Sequence, residues 1–162
     1  MTIPQLTEKM IAFSKGDIHD IDHFMKVWGY AKTIGELEGL DEGTQFTLEL
    51  AALTHDIACP LCREKYGSTI WSKQEEEGGP MVRDFLAGTS LSPAIIDRVA
   101  YLVGHHHTLT GVEGMDYQIL IEADYMVNAA EKGLEKGEIA AFVAEYFRTK
   151  NGIALIKSLF GL

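Results

Sequence analysis

Apolar residues recur along this chain at steps of three and four, and no segment alternates with the period of two that marks a half-buried strand. The pattern predicts an all-α protein. A first helix spans about Pro4 to Phe13, with proline in its first turn and Lys15-Gly16 behind it. A second begins near His19, carries His23, Val27, Ala31, Ile34 and Leu37 on one face, and stops at Gly39. Asp41 caps a third, in which Phe46, Leu50 and Leu53 lead down to His55-Asp56.

From Ile57 to Ser72 the periodicity fades, and Pro60 and Gly67 predict a long loop or flap beside the His-Asp pair. Ser72 is expected to cap a short turn through Glu77. Gly78-Gly79-Pro80 then predicts a kink, or two separate helices, before Met81, Val82, Phe85 and Leu86 resume the pattern. Ser92-Pro93 opens a helix with Ile95, Ile96, Val99, Leu102 and Val103 that runs out at His105-His106-His107. Asp116 is expected to cap the next, whose stripe is Ile119, Leu120, Ala123, Val127 and Ala130. Gly133 ends it. Ile139 to Phe147 and Ile153 to Phe160 are amphipathic and close the bundle, within about residues 135–160, or form a partner surface. About seven to eight helices are expected in one domain, residues 1–162, with no repeat and no linker.

Composition narrows the partners. A chain of 162 residues buries a full core without staples, and 46% hydrophobic with 23% charged residues is ordinary for a soluble protein. The formal charge of −10 argues against nucleic-acid polymers and anionic membranes as partners. A small phosphorylated ligand remains open, provided a metal or a local basic cluster reverses the field at one spot. No apolar run approaches the ~20 residues of a membrane span, and MTIPQLTEKM lacks a basic stretch followed by an apolar block. The expected location is cytoplasmic, and a homo-oligomer is open. Cys59 and Cys62 are the two cysteines, too few for an all-cysteine zinc site in one subunit. Their spacing matches a redox pair, but without a βαβ context they read as buried or loop thiols, with a redox sensor as the rival reading.

Candidate chemistry begins where polar groups interrupt apolar stripes. His55 and Asp56 stand side by side at the end of a helical run of aliphatics, a placement that costs several kcal/mol unless something satisfies both groups. A bound cation does so, although an exposed helix-end pair or a core histidine with a hydrogen-bonded aspartate would too. Adjacent helical residues point about 100° apart, so the pair can share an ion only where the helix ends. His23 and Asp124 likewise fall within or beside core-facing stripes. Arg63, Lys65 and Lys73 are basic residues near the pair and candidates to hold phosphate, with solvated surface charge as the plain alternative. Of the three consecutive histidines at most two can serve one site, and imidazolium at a helix C-terminus is favourable without any ligand.

The succession His23-Phe24-Met25-Lys26-Val27, then Ala52-Leu53-Thr54-His55-Asp56-Ile57, then Glu122-Ala123-Asp124 resembles the HD superfamily of metal-dependent phosphohydrolases, over about Ile18 to Ala130. The resemblance implies an all-helical bundle with one divalent ion per chain (Fe, Mn, Co, Ni, Zn or Mg) held by His23, His55, Asp56 and Asp124. It also implies hydrolysis of a phosphate ester or anhydride, in a nucleotide or another small phosphorylated metabolite. Such an ion lowers the pKa of its water, and the resulting hydroxide attacks phosphorus. Asp56 would orient that water or take its proton, and His105 or His106 would protonate the leaving oxygen or bind phosphate. His19, one turn before His23, competes for the same ligand role. Gln74 stands where two-metal members carry another histidine, and an amide is a poor transition-metal ligand. A second ion would need Glu75, Glu77, His105 or His106. The alternative function is a non-catalytic HD-type module that holds a nucleotide or an ion for regulation.

Overall fold

Nine α-helices and no strand make up residues 1–162 in the computed structural model. They are α1 (Ile3–Phe13), α2 (Ile18–Glu38), α3 (Glu42–Thr54), α4 (Cys59–Tyr66), α5 (Trp71–Leu86), α6 (Pro93–Val103), α7 (Met115–Glu131), α8 (Lys136–Tyr146) and α9 (Lys150–Phe160). The all-α expectation holds, with nine helices in place of seven or eight. Side-chain caps explain where several of them start. Asp17 accepts from Asp20 N, Asp41 from Thr44 N at 3.0 Å, and Ser92 from Ile95 N, each satisfying an amide that the first helical turn leaves without a partner. Gly39, at φ 72°, ends α2 in the left-handed conformation that a residue with a side chain rarely adopts.

Four local expectations fail. The segment after His55-Asp56 is not an extended loop, because Cys59–Tyr66 forms α4 with Pro60 in its first turn, where the missing N–H costs nothing. The helix α5 starts at Trp71, so Ser72 lies inside its first turn rather than capping it, and it runs unbroken through Gly78-Gly79-Pro80. Those glycines let α5 lie against α6: a Cβ on Gly78 would stand 3.0 Å from Val103 Cγ1, and one on Gly79 would stand 3.2 Å from the Ala100 carbonyl oxygen. Asp116 does not cap α7. Its carboxylate instead takes a forked pair of hydrogen bonds from Arg98, Nε at 2.9 Å and Nη2 at 2.7 Å, which ties α6 to the start of α7.

The helix α3 occupies the centre. Every residue from Thr47 to Thr54 is buried, and α1, α2, α6 and α7 pack around it. Thr54 survives there because its hydroxyl donates to the Leu50 carbonyl at 2.8 Å. The long α2 packs on α3, α7 and α9, α5 pairs with α6, and α4 leans on α5. The C-terminal helices are fastened through Glu122, a fully buried carboxylate that accepts from Arg148 N at 2.7 Å, Thr149 N at 3.0 Å, Gln118 Nε2 at 2.8 Å and the Thr149 hydroxyl. No helix is long and apolar enough to cross a membrane.

Candidate metal centre

Beyond Thr54 the chain leaves α3 in a tight turn, with Ile57 N donating to the Thr54 carbonyl and Cys59 N to that of Asp56. This turn removes the divergence that a continuing helix would impose on neighbouring side chains. His55 Nε2 and Asp56 Oδ2 come within 3.6 Å of each other. Opposite them, α2 presents His23 and α7 presents Asp124, both about nineteen-twentieths buried. His23 Nε2 lies 3.2 Å from His55 Nε2, 3.4 Å from Asp56 Oδ2 and 3.2 Å from Asp124 Oδ1, and His55 Nε2 lies 3.4 Å from Asp124 Oδ1. Donors bound at about 2.0–2.2 Å around one transition ion stand roughly 3 to 3.5 Å apart, the spacing seen here.

The other nitrogen of each ring decides what faces inward. His55 Nδ1 meets the Ala52 carbonyl at 2.8 Å, His106 Nδ1 the Val103 carbonyl at 2.8 Å, and His23 Nδ1 the Glu131 carboxylate at 2.9 Å. Each partner only accepts, so each Nδ1 carries a hydrogen, and each ring, when neutral, turns a bare Nε2 lone pair toward the same space. Two lone pairs 3.2 Å apart repel. His106 Nε2, 3.4 Å from Asp56 Oδ1, is moreover buried without any hydrogen-bond partner. Converging lone pairs, two carboxylates and an orphaned buried nitrogen are what a divalent cation satisfies, and the residues present fit one.

Without a cation, protons take its place: burial acts against a charged His106, yet Asp56 raises its pKa, and His23 behaves alike. Burial disfavours the charged form of His23, yet the carboxylates of Asp124, Asp56 and Glu131 outweigh it and raise its pKa to about 9. Burial acts to raise Asp124 and Asp56 as well. The adjoining imidazoles, His23 and His55 for Asp124, His55 and His106 for Asp56, hold both carboxyls below the usual range. His107 is pushed down to about 3, by burial first and by His106 second, and so stays neutral.

His23, His55, Asp56 and Asp124 are therefore brought together, and His106 joins them. His105 is not brought in: its ring stacks on Tyr101 and its Nδ1 donates to the Tyr101 carbonyl, beside a separate groove with Glu75 and Arg83. His19 sits on the rim, its side chain 75% exposed. Gln74 is buried, donating to the Thr69 carbonyl and facing His107 Nε2 at 3.2 Å through its oxygen. Glu75 is taken by His107 N and the Thr108 hydroxyl, and Glu77 by Lys65 and Tyr66. Lys65 and Lys73 point elsewhere, paired with Glu77 and Glu76. Arg63 lines the site but is engaged by Asp20 and Asp17.

A cleft of about 680 Å³ opens over the cluster, with Arg63, Trp71, Gln74, Asn128 and Lys132 on its walls and Asp56 reaching it with a quarter of its side chain exposed. Sequence reasoning missed Glu131, Asn128 and Lys132. Asn128 donates to Asp124 Oδ1 at 2.7 Å, and Glu131 orients His23. Both follow Asp124 at helical spacing, four and seven residues on, which is the signal that marks them as its neighbours.

The buried cluster of histidines and aspartates at the turn after α3 defines a candidate metal centre in an all-helical fold. A family model for the HD domain matches residues 20–147, and the chain belongs to that family. Its fold is similar to the crystal structure of a predicted HD superfamily hydrolase from an uncultured Thermotogales bacterium, with TM-score 0.70 and 19% identity over 96% of this chain and 83% of that one. No curated protein matches the chain.

Proposed function

We propose that the protein is a metal-dependent phosphohydrolase that cleaves a phosphate ester or anhydride in a small phosphorylated metabolite such as a nucleotide. The observation that carries this reading is the convergence of three imidazole Nε2 atoms, each fixed by an Nδ1 hydrogen bond, on two ionised carboxylates beneath an open cleft. His23, His55, Asp56 and Asp124 would hold the ion. Once bound, it supplies a water of lowered pKa and neutralises charge on the phosphoryl oxygens. Asp56 has a distinct place: Oδ2 faces His23 and His55, while Oδ1 faces His106. That lets Asp56 orient the attacking water and pass its proton to His106, the nearest nitrogen with an unused lone pair. His106 is fully buried behind Asp56, so any proton it holds reaches the cleft through Asp56, and His105 stands outside the site.

Access to Asp56 favours hydrolysis over a module that holds an ion alone, which needs no cleft, while a module that holds a nucleotide would use the same cleft and is separated by turnover. Incubation of the purified protein with Mn, Co, Ni or Fe and a panel of nucleotides and phosphate esters tests the proposal. Metal-dependent release of phosphate is the expected result. Tight binding of a nucleotide with no release would overturn hydrolysis in favour of the regulatory module.

A further inference from the structure

The walls of the cleft are unequal. Most of the lining is polar or charged, and its apolar members are Cys59, Ile70 and Trp71. Cys59 is 5% exposed, whereas Ile70 and Trp71 are 52% and 58% exposed and stand next to each other at the start of α5. A single exposed apolar residue on a surface means little. Two in succession on the wall of a polar cleft offer a ligand the one flat apolar face it can find there.

That wall is tied to the chemistry. The Ile70 carbonyl accepts Lys73 N at 2.9 Å and Gln74 N at 3.1 Å, and the Gln74 amide links the Thr69 carbonyl to His107 Nε2. Lys132, just past the end of α7, lines the same cleft and forms no ion pair, unlike Arg63. A ligand here meets the His-Asp cluster, a free ammonium and an indole in one cleft.

We propose that Trp71 is a specificity-determining residue that stacks on a planar, aromatic leaving group, so that the preferred substrate is a phosphate ester carrying a nucleobase or similar ring. This rests on the phosphohydrolase reading above. Indole stacks on every base and holds no hydrogen-bond code for one of them, so the selection is for an aromatic ring over an aliphatic group and not for one base over another.

Steady-state kinetics of the metal-loaded protein and its Trp71→Ala and Trp71→Phe variants, with adenosine monophosphate and glycerol phosphate as paired probes, test this. Loss of one stacked base corresponds to a roughly 5- to 150-fold change. The expected result for Trp71→Ala is a KM for adenosine monophosphate raised by that factor, with kcat within twofold. The KM for glycerol phosphate and inhibition by inorganic phosphate stay unchanged, and Trp71→Phe recovers most of the loss. An equal rise for both esters, or no rise, overturns the assignment. If the wild-type protein turns over neither ester, hydrolysis of these monoesters is what has failed, and calorimetric titration of adenosine monophosphate into the same three proteins decides on Trp71. Binding weakened by the same factor in Trp71→Ala alone supports it; equal binding in all three, or none, overturns it.

Discussion

Glu131 is expected to govern how tightly the ion is held without touching it. Its carboxylate receives His23 Nδ1–H at 2.9 Å and Lys26 Nζ at 3.2 Å, and its side chain is only a fifth exposed. Without it, the neutral ring of His23 is free to place its hydrogen on Nε2, where it would have to be displaced before a metal could bind. The ring also loses the contact that sets its orientation. Outer partners of this kind change metal affinity by about 10- to 100-fold, or roughly 1.4 to 2.7 kcal/mol. Glu131→Ala should therefore weaken Mn binding to metal-free protein by that factor in calorimetric titration. Glu131→Gln, which keeps an acceptor oxygen but not the charge, should fall between. Lys26→Ala is the control: its ammonium is half exposed, and such pairs contribute at most about 1 kcal/mol. Affinity of Glu131→Ala within twofold of wild type would refute the reasoning.

Other outcomes follow from the same structure. Asp56→Ala and Asp124→Ala should each abolish metal-dependent turnover while far-ultraviolet circular dichroism keeps its helical amplitude; full activity in either purified variant would contradict the ligand set. Glu122→Ala leaves Arg148 N, Thr149 N and the Thr149 hydroxyl without their buried acceptor, and should lower unfolding free energy by about 3 kcal/mol or more in urea titration. Cys59 and Cys62 are buried, and burial raises both thiols, so neither should react with iodoacetamide at pH 7.5 in the native protein while both react in urea. Rapid native alkylation, or an oxidant-induced disulfide that alters activity, would restore the redox-sensor reading.

What could be read in advance was what periodicity encodes. The stripe of α7 exposes Asp124 as a carboxylate among aliphatics, and the run of α3 marks His55-Asp56 as an intrusion at its end. Features that depend on three-dimensional approach stayed hidden. Pro60, read as a sign of a loop, instead starts α4, because proline suits a first helical turn as well as a loop. Gly78 and Gly79 carry breaker signals in sequence, yet their role is set by Val103 and Ala100 across the α5–α6 contact. Among three consecutive histidines, only the turn after α6 decides that His106 faces Asp56 while His105 stacks on Tyr101. The basic residues near the site were misleading for a similar reason. Lys65 and Lys73 are neutralised by Glu77 and Glu76, and the unpaired cation of the cleft, Lys132, lies at the end of a helix read for its apolar stripe alone.

The central claim is that one divalent ion sits among His23, His55, Asp56 and Asp124. Elemental analysis of protein purified without added metal, then equilibrated with Mn or Co and desalted, measures this directly, with His55→Ala as the comparison. The account predicts about one ion per wild-type chain and close to none in a helical His55→Ala. A wild-type chain that retains no metal, or a variant that retains as much as wild type, would contradict it.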